Sequence, residues 1–225
     1  MTDRPTADHP TLVVRGEAFR EVPPELARFA VTVSVRDRSR QAALARLADR
    51  TGEVRELVDG YGTAIERRET GQLWVRPEAG RTSDRAVAYV GSATTTVTVT
   101  DFAVLGELML RLADLDQATV AGPWWELRPG SPAHRKVRRA AVADAMARAR
   151  EYAAALGAEV TALLELADGT PVQERPIMLA AAGGYRGGGA APDLHLDPQP
   201  QTVQATVQAR FAISPSQPRA HACRR

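Results

Sequence analysis

Arg135, Lys136, Arg138 and Arg139 lie within five positions of one another in a chain of 225 residues. Guanidinium groups hold carboxylates and phosphates through paired N–H donors, so Arg135, Arg138 and Arg139 are the candidate anion contacts. The commoner use of such a run is a solvated basic helix face, and that reading is preferred. Other chemistry-bearing residues do not assemble into a pattern. His9, His134, His195 and His221 lack metal-ligand spacing, and His134 stands beside Arg135, an unfavourable neighbour for a cation. Glu17, Glu21 and Glu25 cluster, but an acid/base pair needs an enclosing pocket to separate its pKa values. GGYRGGGAAP lacks the Gly-Lys-Ser/Thr ending of a phosphate loop, and neither a Gly-x-Ser-x-Gly elbow nor HExxH occurs. Cys223 is the only cysteine, which excludes an intrachain disulfide and a cysteine metal cluster. The expectation is a protein that is not an enzyme, with no catalytic residue, metal or cofactor.

The totals narrow the partners. Lys and Arg number 29 against 27 Asp and Glu, a net charge of +2, too small to argue for nucleic acid or a membrane surface. Strand aromatics are too few for stacking RNA bases. No apolar run approaches the ~18 residues of a membrane span. The opening MTDRPTADHP has no apolar core of the kind a secretion signal carries. A cytoplasmic protein is expected.

The basic run belongs to the longest predicted element, SPAHRKVRRAAVADAMARAREYAAALG. Ser131 can cap its first turn, Pro132 suits the first helical position, and Gly157 supplies a terminating positive φ. Val137, Ala141, Ala145, Ala149, Tyr152 and Leu156 recur at steps of three and four, a narrow stripe of mostly small residues that permits close approach to a sheet.

Before it, LVVRGEAFREV reads as a strand with Gly16 a bulge or close-approach point. Phe29, Val31, Val33 and Val35 alternate in a second strand, and the two are expected to pair as a hairpin across Pro23 and Pro24. A helix over 39–62 follows, with Leu44, Leu47, Thr51, Val54, Val58 and Tyr61 as its buried stripe. Strands are predicted over 64–77 and 86–100, the second with a row of threonines on its solvent face. Asp101 caps a shorter helix bearing Leu105, Leu108, Leu112 and Leu115, and a strand over 117–128 follows. In that strand Trp124 faces away from Trp125 and is a candidate interface residue, or a tryptophan shielded by a loop. After the long helix come strands over 160–166 and 203–213, separated by a Gly/Pro-rich loop at about 168–201 that is expected to be mobile. Residues 1–10 and 215–225 read as tails flanking one domain at 11–214.

The fold class is therefore α+β, an antiparallel sheet packed by three helices in the order ββαββαβαββ. With that order come motifs similar to those of the SIMPL-domain family. GEAFREVPPELARFAVTVSV resembles its opening glycine, proline turn and alternating strand. AYVGSATTTVTVTDFAVLGELM resembles its middle strand and helix. AAVADAMARAREYAAALGAEVTALLEL resembles its alanine-rich helix and following strand, and a proline- and glycine-rich insertion precedes the final VQATVQARF. The resemblance implies an α+β domain, in some members built into large homo-oligomers, with no established catalytic set and loose links to bacterial stress. The leading expectation is a non-enzymatic homo-oligomer acting through its surfaces. The alternative is a small anionic-ligand-binding protein or enzyme with a pocket between sheet and helices, and a third reading uses the Gly/Pro loop to dock a partner.

Overall fold

The computed structural model describes residues 9–80, 83–169 and 194–215. Residues 170–193 of the expected Gly/Pro loop, and most of both expected tails, lie outside the described residues. The strands and helices follow the predicted order, β1 (Thr11–Val22), β2 (Leu26–Asp37), α1 (Arg40–Asp59), β3 (Ile65–Gly80), β4 (Ser83–Val99), α2 (Leu105–Ala113), β5 (Ala118–Glu126), α3 (Pro132–Ala155), β6 (Val160–Gly169) and β7 (Gln201–Ile213). The fold is α+β, with all pairings antiparallel. The strands divide between two sheets, β1-β7-β6 and β3-β4-β2-β5. The expected domain comprises two compact units, one containing residues 23–128 and the other built around β1, α3, β6 and β7.

The expected β1–β2 hairpin does not form. β1 pairs with β7 along its whole length, whereas β2 lies between β4 and β5. Pro23 and Pro24 have no N–H to close a hairpin turn. Glu25 N–H instead donates to the carbonyl of Glu126 at 2.9 Å, which starts the pairing of β2 with β5.

In the four-stranded unit, Phe29, Val31, Val33 and Val35 of β2 are buried, as their alternation demands. They sit opposite Val97, Thr95, Ala93 and Gly91 of β4. The threonines of β4 do not share a solvent face, since Thr95 is buried on the core side. α1 is capped by Ser39, whose hydroxyl accepts from Ala42 N at 3.4 Å. Its buried stripe is Ala43, Leu47, Val54 and Val58; the expected Leu44 is exposed. Asp101 caps a 3₁₀ turn (Phe102–Val104) leading into α2, and Leu105, Leu108 and Leu112 are fully buried. Part of the loop expected to be mobile is instead packed: Leu196 lies on this core, and the Leu194 carbonyl passes so near Gly106 that a Cβ there would stand 1.9 Å from it.

In the three-stranded unit, α3 lies over β1 and β7. Ser131 Oγ accepts from Ala133 N at 3.3 Å and Pro132 opens the helix. At the far end Gly157 takes φ 69°. Ala158 N donates to Ala153 O at 2.8 Å and Gly157 N to Ala154 O at 3.0 Å, the paired bonds of a Schellman terminus. Val137, Ala141, Ala145, Ala149 and Ala153 form the buried stripe, facing Val203, Ala205, Val207, Ala209 and Phe211 from β7. Tyr152 and Leu156, expected in that stripe, are exposed, because Ala153 takes the sheet-facing position one residue later.

Candidate functional site

Each unit leaves one strand incompletely covered, and for the same reason. A helix with its side chains is about 10 Å across, enough for roughly two strands spaced about 4.8 Å apart. α1 lies mainly over β2 and β4, so the face of edge strand β3 extends beyond it. Between them runs a groove of about 430 Å³. Its helical wall is Leu44, Leu47, Ala48, Thr51, Gly52 and Arg55, which recur at helical spacing along one flank of α1. Its sheet wall is Arg68, Thr70 and Leu73 of β3 with Thr95 of β4.

A β-bulge builds that second wall. Thr70 pairs with Thr95 and Leu73 with Ala93, so β3 advances three residues while β4 advances two. In a regular strand Thr70 and Leu73 would face opposite sides; the extra residue brings both to the helix side. Gly71 inside the strand was the available sequence signal for this bulge.

The cationic end of the groove is formed by Arg55 and Arg68. Arg68 bonds Asp59 and reaches the Arg55 carbonyl at 3.4 Å, while Arg55 Nε lies 3.7 Å from the same Asp59. Two guanidinium groups thus share one carboxylate. Gly52 stands midway along the wall in the helix interior, and a Cβ added there would meet nothing within 4 Å.

The second bare strand is β6. No residue of it is buried, and Leu163, Leu164 and Leu166 are 53%, 53% and 48% exposed. Among the described residues it pairs with β7 alone, so its outer edge carries unpaired backbone groups. On β1, the opposite outer strand of the same sheet, Phe19 is 78% exposed. Across this sheet a hollow of about 90 Å³ is lined by Val13, Glu165, Ala167, Gln208 and Arg210. Arg210 Nε is buried there without a hydrogen bond; Glu165 Oε2, at 3.6 Å, is close enough for charge attraction but not for bonding.

The sequence-predicted site residues fall elsewhere. Arg135, Arg138 and Arg139 are exposed on the first turns of α3 and line neither cavity. Trp124 is 40% exposed on edge strand β5, while Trp125 is buried with its ring edge-on to Phe102 at 4.9 Å. Glu17 pairs with Arg15 at 2.7 Å, and Glu25 accepts from Arg128 N at 3.1 Å, so each is engaged locally. Among the described residues no group of His, Cys, Asp or Glu is arranged to hold a metal ion.

Residues 12–211 match the family described as SIMPL, protein of unknown function (DUF541). The chain belongs to the SIMPL family. The match spans both units, from β1 into β7. No curated protein matches this SIMPL chain. Among solved structures, one similarity is to a candidate amidohydrolase/peptidase from Burkholderia cenocepacia, at 20% identity over 56% of this chain and a TM-score of 0.27. The match spans 32% of that protein's length, and at this score it carries no argument about fold or chemistry. No helix of the described residues is long and apolar enough to cross a membrane.

Proposed function

We propose that this SIMPL protein works without chemistry of its own, by self-association through β6. The observation that supports it is a ten-residue edge strand in which nothing is buried and three leucines are about half exposed. Such an edge is a template for a further strand, and monomeric proteins usually blunt it with charge, proline or cover. Glu165 and Asp168 are the two charged side chains of β6, the second one residue from its end, and no proline interrupts the strand. Antiparallel pairing of two β6 strands would satisfy the free backbone groups and bring the leucines of the two copies together across the new ladder, each cross-strand apolar pair contributing roughly 0.2–1 kcal/mol. Trp124 on β5 is a separate candidate contact, since aromatic residues are enriched at interfaces. A stress-related role rests on family resemblance alone.

Sedimentation velocity at micromolar concentration tests the reading. The wild-type chain should run as an oligomer, and Leu164→Lys with Leu166→Lys should run as a folded monomer with unchanged circular dichroism. A monomeric wild type would end the proposal.

A further inference from the structure

The groove beside α1 owes nothing to self-association, and its composition points to a ligand. We propose that it binds a small aliphatic carboxylate, with the chain on Leu44, Leu47 and Leu73 and the carboxylate at Arg55 and Arg68. The volume of about 430 Å³ falls in the range of small-molecule sites. Its walls supply apolar surface along most of their length and positive charge at one end only. Arg55 and Arg68 face a single carboxylate, Asp59, and each guanidinium has five N–H donors, so the pair has donors left for a second anion.

Gly52 adds an independent observation. Glycine weakens a helix interior relative to alanine, and a conformational or packing need would normally explain it. Neither applies at Gly52, which lies within α1 where a Cβ would meet open space. What its missing side chain preserves is the width of the groove.

Arg55 is the residue to test, because Arg68 also ties β3 to the end of α1 through Asp59 and the Arg55 carbonyl. Calorimetric titration of the full chain with octanoate should show saturable binding. Octanol should bind about tenfold more weakly and inorganic phosphate not measurably, since the site needs both chain and charge. Gly52→Leu fills the groove and should weaken octanoate about tenfold with unchanged circular dichroism. Arg55→Gln should weaken octanoate by a similar factor and leave octanol unchanged. Octanoate that fails to bind, or binds Gly52→Leu as well as wild type, overturns the proposal. So does equal affinity for octanol. A Gly52→Leu chain that changes sedimentation while the wild type ignores octanoate would assign the groove to a contact between copies, again against the proposal.

Discussion

Gly16 of β1 lies directly beneath Ala141 of α3, so close that a Cβ on Gly16 would stand 2.1 Å from the Ala141 carbonyl oxygen. The Ala145 amide nitrogen would be 2.6 Å away. The two residues explain each other. A helix faced with alanine seats low on a sheet only where the strand beneath it also yields space. This contact makes the alanine stripe of α3 a packing device as well as a helix-favouring one.

Replacing Gly16 with alanine should therefore destabilise the chain by about 1–3 kcal/mol, the usual cost of forcing atoms into a filled core. The clash is with helix backbone, which a rotamer change cannot relieve. Urea denaturation checks it, with a lowered midpoint and an unchanged slope expected. An unchanged midpoint would show that α3 is not seated there.

At Gly52 the opposite outcome is expected. Alanine adds a methyl group to open space within a helix, which should stabilise the fold by roughly 0.5–1 kcal/mol. Thermal melting distinguishes the two glycines, because Gly52→Ala should raise the midpoint and Gly16→Ala lower it.

Arg135 stands near the N-terminus of α3, where the partial charge of the helix is positive, and its side chain is exposed. Arg135→Glu should stabilise the chain by about 0.3–1 kcal/mol at low salt, with the gain shrinking as salt screens it. Loss of stability on this change would point instead to an anion held by the basic run.

The Tyr61 hydroxyl donates to Glu107 Oε1 at 2.9 Å and accepts from Arg111 at 3.1 Å. Burial, helped by the bond to Glu107, raises its pKa above the ordinary tyrosine value, and Arg111 acts in the opposite direction. The folded state therefore holds the phenolic proton more tightly than the unfolded chain. The resulting stabilisation is complete below the unfolded value of about 10 and is lost as pH rises through the folded one. Ultraviolet titration should show a late phenolate component that Tyr61→Phe removes.

Local signals carried most of the fold. Ser131, Pro132 and Gly157 marked the ends of α3, and the alternation from Phe29 to Val35 marked β2, because caps and period-two burial are properties of a few neighbouring residues. The partner of β1 was not legible, since Thr11 pairs with Ala212 and no local pattern encodes so distant a choice. Apolar spacing puts Leu44 in the core, yet it is exposed, because spacing does not reveal how far a helix lies from the edge of its sheet. The groove was hidden for the same reason: it depends on where β3 extends past α1 and on one extra residue between Thr70 and Leu73. Arg55 and Arg68, 13 positions apart, meet only through Asp59 after both elements have folded.

The middle strand of the three-stranded sheet is β7, the last element in the order. A growing polypeptide that has emerged only as far as residue 200 has made β1, α3 and β6 but lacks the strand that joins them. By then the ribosome has released every strand and helix of the four-stranded unit. The four-stranded unit can therefore fold while β7 is still to come; the other unit is closed by β7, and until that strand arrives a glycine-bearing strand and an alanine-faced helix stand open to chaperones and proteases.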